Sequence, residues 1–206
     1  MKKNNNTVII LIVTMIIIIA FGFLNKLRNT EKKEILIELE AGTMLPKAKK
    51  ITSFNIPSTK SNSLYNDLNN KWSLIFFGYS SCPHLCPKTL AYMNNISKLT
   101  NNENLQFVFV TIDPKRDTIE HLNSYLKTIN PDFIGASGNI EDTLKLTKEL
   151  NIYVANVDPE KVEHVDHSGS LVLISPNIEF SAIFTKIEDP NMVAKEIKTI
   201  QSIKLL

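Results

Sequence analysis

The sequence predicts an α/β domain, a layered central sheet with helices on its faces, preceded by one N-terminal transmembrane helix. Three observations predict it. From residue 72 onward, β-rich runs alternate with stretches of helical spacing. Two further strand-like runs and a helix close the chain. A 17-residue apolar run, Val8 to Leu24, precedes everything else and is broken only by Thr14 and Gly22. The 206 residues suit one domain of ordinary size plus an appendage, and no internal repeat is evident. The formal charge of +2 comes from Lys2 and Lys3, and the rest of the chain balances 21 basic groups against 21 acidic ones. A neutral domain without a basic cluster offers no footprint for nucleic acid.

The N-terminal run is just long enough to span, since a spanning helix needs about 17–25 apolar residues. A cleaved signal peptide would have an apolar core of about 7–15 residues followed by small residues. Phe21, Phe23 and Leu24 stand in that place, so residues 1–24 read as an uncleaved membrane anchor. The basic flanks, Lys2 and Lys3 with the amino terminus against Lys26, Arg28, Lys32 and Lys33, lean by count towards a cytoplasmic domain.

Residues 25–44 are rich in Lys and Glu and read as a juxtamembrane linker, whose apolar patch Ile35-Leu36-Ile37 feeds a first strand. The domain proper is 45–206. Phe54 to Ile56 reads as a short strand before a turn-rich stretch from Pro57 to Asn62. A strand at 72–78 leads into a helix from about 83 to 100, and Leu105 to Ile112 is β-rich. Ile119, Leu122, Tyr125, Leu126 and Ile129 have helical spacing. A strand at 133–136 precedes a helix at about 139–150, capped by Asn139. Runs at Ser170 to Ile174 and Glu179 to Phe184 are joined by a turn at Pro176-Asn177. Asp189-Pro190 starts a last helix carrying Val193, Ile197, Ile200 and Ile203.

The chemistry gathers at residues 72–87. The apolar run Leu74 to Phe77 stops at Gly78, and a polar turn delivers Cys82-Pro-His-Leu-Cys86, the chain's two cysteines. Pro83 is expected at the first helical position, where its missing N–H costs nothing. Cys82 then faces unpaired amides and the positive end of the helix dipole, which favour thiolate over thiol. Cys86 returns to the same face one turn later, so two sulfurs sit side by side, able to close a disulfide or grip one soft metal ion. Two plainer readings compete: cysteines that merely fill space, or a structural disulfide whose five-residue loop would contribute about 2 kcal/mol. Prolines after both cysteines and the helix-start location favour a working pair. His84, between them, reads as a solvated helix residue. A cysteine pair at the start of the helix after a central strand is where thioredoxin-like folds place theirs, which makes a thioredoxin-like sheet the expected architecture.

Val162-Glu-His-Val-Asp-His-Ser-Gly-Ser170 is a polar island before an apolar strand. In a thioredoxin-like layout the loop carrying Asp166 and His167 faces the cysteine helix. A nitrogen ligand from His167 would complete a set of two sulfurs and one nitrogen, which suits copper better than the four-ligand closed sites of zinc. His164 is the poorer candidate. In Thr111-Ile-Asp-Pro-Lys-Arg-Asp-Thr118, a turn and a helix cap account for Asp117. Asp113 and Arg116 are open between local structure and a role in orienting the site or meeting a partner.

Gly78-Tyr-Ser-Ser-Cys-Pro-His-Leu-Cys-Pro87, Thr111-Ile-Asp-Pro-Lys-Arg-Asp-Thr118 and Val165-Asp-His-Ser168, in this order and spacing, resemble the three signature blocks of the Sco/SenC family. The resemblance runs from about residue 45 to the end. It implies a membrane-tethered, thioredoxin-like protein that binds one copper ion, Cu(I) or Cu(II), through Cys82, Cys86 and His167. It implies a metallochaperone for the dinuclear copper site of cytochrome c oxidase, with the copper-site subunit as partner and another copper chaperone or a thiol reductant beside it. Asp166 and Asp113 would support the site or the partner. The domain would lie outside the cytoplasm, in the periplasm or the mitochondrial intermembrane space, against the lean of the charge count. His84-Leu85 departs from the acidic-then-aliphatic pair that relatives often carry between the cysteines.

The alternative within the resemblance is an enzyme, a thiol–disulfide oxidoreductase that reduces the oxidase cysteines through a redox disulfide of Cys82 and Cys86 and has no need of His167. A thiol peroxidase would need a threonine where Tyr79 stands. A copper or redox sensor would use the same ligands.

Overall fold

The computed structural model describes residues 5–28, 37–155, 166–167 and 169–203, with side chains described over 9–21, 39–154 and 169–203. The chain divides into two compact units, residues 1–35 and 36–206. In the first, α1 (Asn5–Arg28) takes up the apolar run as one helix. Its described side chains, residues 9–21, are exposed. Among the described residues, no helix is long and apolar enough to cross a membrane.

The second unit is a seven-stranded mixed sheet with helices between its strands. It begins with β1 (Ile37–Glu38), β2 (Gly42–Lys50) and a one-turn helix α2 (Leu64–Asp67). Then come β3 (Trp72–Gly78), α3 (Leu85–Thr100), β4 (Leu105–Thr111), α4 (Ile119–Lys127), β5 (Ile134–Ala136) and α5 (Ile140–Glu149). A small pair, β6 (Val154–Ala155) and β7 (Asp166–His167), precedes β8 (Leu171–Ile174), β9 (Glu179–Phe184) and α6 (Pro190–Ile203). The sheet order is β1-β2-β9-β8-β3-β4-β5, with β6 and β7 forming a separate two-stranded ribbon. β3, β4 and β5 run parallel, as helical crossovers require, and β8 runs antiparallel to β3.

Every residue of β3 and β4 is buried, which is why both read as continuous apolar runs. Phe76 and Phe109, directly opposite in register, hold their rings 5.8 Å apart in the centre of the core. The helices start where short polar side chains can take their free amides. Asn139 accepts from the Glu141 amide at 2.8 Å, Thr118 from the His121 amide at 3.2 Å, and the Asp189 carboxylate from the Asn191 amide at 3.0 Å.

Three expectations change. Phe54 to Ile56 is not a strand; the local contact is instead a single bridge between Ser58 and Ala136, the latter in β5. The stretch 37–50 carries two strands of the sheet, so pairing begins inside the segment that reads as linker. Helix α3 starts at Leu85 rather than Pro83, with His84 in the capping position and its own side chain making no capping bond. Pro87 thereby becomes the third helical residue, where an N–H would still lack an intrahelical partner.

The turn between β1 and β2 is bolted down from the far end of the chain. Glu196 of α6 is 9% exposed and accepts from the Glu40 amide at 2.7 Å and the Ala41 amide at 3.2 Å, while the Ala41 carbonyl takes the amides of Thr185 and Lys186. Glu196→Ala strands both amides. It is expected to lower unfolding stability by about 2 kcal/mol, read from a denaturant melt. An unchanged midpoint would show that water replaces the carboxylate freely.

Candidate functional site

The site is built at the C-terminal end of β3. The strand stops at Gly78, and a turn closed by the Cys82 amide on the Tyr79 carbonyl, at 3.2 Å, sets Cys82 ahead of α3. The Cys82 sulfur then does what a capping oxygen does elsewhere, accepting from the Cys86 amide at 3.4 Å. No disulfide joins the two cysteines, and both are buried, Cys82 7% exposed and Cys86 fully covered. The Cys86 sulfur is seated on Gly78: a Cβ added there would lie 2.8 Å from it and 3.0 Å from the rings of Phe109 and Phe76. Glycine is needed at this strand end for close approach.

The two thiols are electrostatically unequal. Burial pushes the Cys82 thiol up, but the amide and thiol of Cys86 and the amides of His84 and Leu85 outweigh it and hold the group below its usual value. Cys86 goes the other way. Burial raises it strongly, the Tyr79 amide opposes, and the charges of Cys82 and Asp117 add to the rise. The Tyr125 hydroxyl, pushed up to about 12 by burial and then by Cys86, Cys82 and Asp117, belongs to the same cluster. Iodoacetamide at neutral pH is expected to label Cys82 first, with Cys86 labelled only on unfolding, as peptide mass spectrometry would show. Equal labelling rates would contradict these environments.

Asp113 and Asp117 lie at the exit of the neighbouring strand β4. Asp113 is 4% exposed and its carboxylate pairs with Arg116, while its amide donates to the Thr111 hydroxyl at 2.9 Å. Asp117 is fully buried, and it is the residue that the sequence motif understates. Thr118 caps α4, and the Asp117 carboxylate turns inward instead. There it accepts from the Ser80 amide at 2.9 Å, the Thr111 hydroxyl at 2.7 Å and the Ser80 hydroxyl. Two cap-forming residues in succession, Asp117 and Thr118, were the available signal, because only one of them can cap the helix.

Asp166 and His167 form β7, His167 opposite Val154 and Asp166 opposite Ala155. Their side chains, and His164 altogether, lie outside the described residues. The next described residue, Gly169, passes over the first turn of α3: a Cβ there would sit 3.2 Å from Leu85 Cδ1 and 3.7 Å from the Thr89 hydroxyl. The chain just after His167 therefore crosses the helix that carries Cys86. Among the described residues, no three His, Cys, Asp or Glu side chains gather as a metal cluster, and the described donors are the two sulfurs. His84 is exposed on the same helix start.

Such a site offers soft thiolates at a helix N-terminus, able to bind a soft cation or exchange a disulfide. Among proteins of known sequence, the chain is 32% identical to Protein sco1 of Schizosaccharomyces pombe over 139 residues, 64% of this chain and 53% of that protein. It is 35% identical to a SCO2-like protein of Rickettsia felis over 138 residues, 65% of this chain and 67% of that one. The matched part thus spans about half to two thirds of these relatives' length. Among solved structures, yeast Sco1 with copper bound superposes with a TM-score of 0.64 at 26% identity, covering 73% of this chain and 87% of that one. The family model SCO1/SenC matches residues 43–202, the whole stretch from the second strand of the sheet to the last helix, and the chain belongs to that family.

Proposed function

We propose that this chain is a membrane-anchored copper metallochaperone that binds one copper ion through Cys82, Cys86 and His167 and helps assemble the dinuclear copper site of cytochrome c oxidase. The observation that carries the reading is the buried pair of thiols at the start of α3, with the chain after His167 crossing that same helical turn. Two thiolates suit Cu(I), and an imidazole adds a donor acceptable to both copper oxidation states. The copper carried by the yeast relative supports the same cargo. Copper is here a passenger: a three-donor set leaves room for a partner's thiolate to enter before one of its own ligands leaves. Asp113 and Asp166 are assigned supporting parts, toward the site or the partner.

Residues 1–24 serve as the anchor, 25–44 as the tether and 45–206 as the copper domain. The apolar run Val8 to Leu24 supports the anchor, at the lower limit of about 17 residues. The domain lies on the non-cytoplasmic side, in the periplasm or the intermembrane space, where oxidase copper sites are assembled. The partner is the copper-site subunit, with another copper chaperone or thiol reductant supplying copper or electrons. One observation favours a second reading, a thiol–disulfide oxidoreductase: the unequal thiols, Cys82 activated and Cys86 held back, are what stepwise exchange uses.

The test is an anaerobic titration of the reduced full-length chain in detergent with Cu(I) against a chelator. One equivalent held tightly is expected. No retention against a modest competitor would end the copper reading and leave the oxidoreductase in its place.

A further inference from the structure

Asp117 sits under the cysteine turn with every oxygen in use. Proton counting fixes the direction of each bond. The Thr111 hydroxyl gives its one proton to the Asp117 carboxylate, which can only accept, while its oxygen takes the Asp113 amide. The Ser80 hydroxyl likewise gives its proton to Asp117 and is left to accept from His121, whose Nε2 lies 3.0 Å away and must therefore carry a hydrogen. The His121 ring is half exposed on α4 and stacks parallel on Tyr125 at 6.5 Å, with its Nε2 3.9 Å from the Asp117 carboxylate. One buried carboxylate thus joins the exits of β3 and β4 and the first turn of α4, and its grip on Ser80 lies two residues before Cys82.

We propose that Asp117 is a positioning residue of the cysteine pair: by holding the amide and hydroxyl of Ser80 it fixes the Tyr79–Cys82 turn, and so holds the two sulfurs in reach of each other. This rests on the reading of Cys82 and Cys86 as the working pair. The turn is closed by the Cys82 amide on the Tyr79 carbonyl, and the Tyr79 amide bears on the Cys86 sulfur. It must also present the Cys82 sulfur to the Cys86 amide while the Cys86 sulfur stays seated on Gly78. A turn held by two bonds to one buried carboxylate, itself anchored on Thr111, keeps its geometry at little further entropic cost, and closing the disulfide across it then benefits from proximity.

The test uses the metal-free full-length chain in detergent, equilibrated with reduced and oxidised glutathione. One S–S bond forms between Cys82 and Cys86 and one breaks in glutathione disulfide; two electrons pass to glutathione, and the two thiol protons end on its two thiols. Asp117→Ala is expected to lower the equilibrium constant for closing the pair about tenfold, a rise of about 30 mV in reduction potential. Asp117→Asn and Ser80→Ala, which each keep part of the bonding, should shift it about threefold in the same direction. Thermal melts run in parallel separate a folding defect from a positioning one. If Asp117→Asn and Ser80→Ala both leave the constant within error of the unmodified chain, the proposal is overturned, whether or not Asp117→Ala folds. A pair in the unmodified chain that neither closes reversibly nor holds copper would instead sink the reading of the pair itself.

Discussion

Serine at both Cys82 and Cys86 is expected to abolish Cu(I) binding by the reduced chain, while His167→Ala weakens it at least tenfold, or about 1.4 kcal/mol. The asymmetry follows from donor chemistry. In the proposed ligand set the thiolates would supply the soft charge that Cu(I) prefers, and the imidazole one neutral donor that solvent or a partner can replace. Proton linkage gives a second signature. Copper needs both sulfurs deprotonated, and burial holds the Cys86 proton on well above the usual thiol range. Binding therefore releases protons, and the apparent affinity rises with pH, by up to about tenfold per pH unit for each proton displaced. Its pH slope should fall in a Cys86→Ser variant, which has one thiol fewer to deprotonate. A double-serine variant that still held copper would show that the metal sits elsewhere.

Gly78→Ala is expected to cost about 3 kcal/mol of stability, at the upper end for overpacking. It should weaken copper binding at least tenfold as well. The added methyl meets the Cys86 sulfur at 2.8 Å and the Phe76 and Phe109 rings at 3.0 Å, and none of these is the free tip of a flexible side chain. The two rings are locked in the centre of the core, so the sulfur gives way, and with it the first turn of α3. A denaturant melt and the same Cu(I) competition measure both effects. A loss of stability with copper affinity intact would mean that the rings yield and the sulfur does not.

The strands β3, β4 and β9 and the helices α4, α5 and α6 were legible because their apolar period and their caps agree. β2 was not. Its sequence Gly42-Thr-Met-Leu-Pro-Lys-Ala-Lys-Lys50 holds a proline and three lysines, and it pairs through a register shift between Met44 and Lys49 that brackets Pro46. A strand that buries little and interrupts its own ladder carries no periodic signal. The start of α3 was misread by two residues because a sulfur, not a proline, organises it: Cys82 takes the amide that a usual cap would take. Of the site, the two cysteines were legible from type and spacing alone. Asp117 was hidden because its partner Ser80 lies 37 positions away, and only the parallel register of Gly78 with Thr111 brings the two turns together.

The order of strands also has a mechanical meaning. The N-terminal segment joins the sheet at the β1–β2 edge, whereas Cys82 hangs from β3, and β9 and β8 lie between them. A tug or a thermal jolt arriving along that segment loads the edge hairpin first. There the Glu196 clamp and the β2–β9 ladder take it up in shear. Two further strands must deform before the cysteine turn feels it. The two sulfurs thus keep their surroundings while the sheet edge is loaded, which is what handing over an ion during a brief collision, the proposed task, would demand.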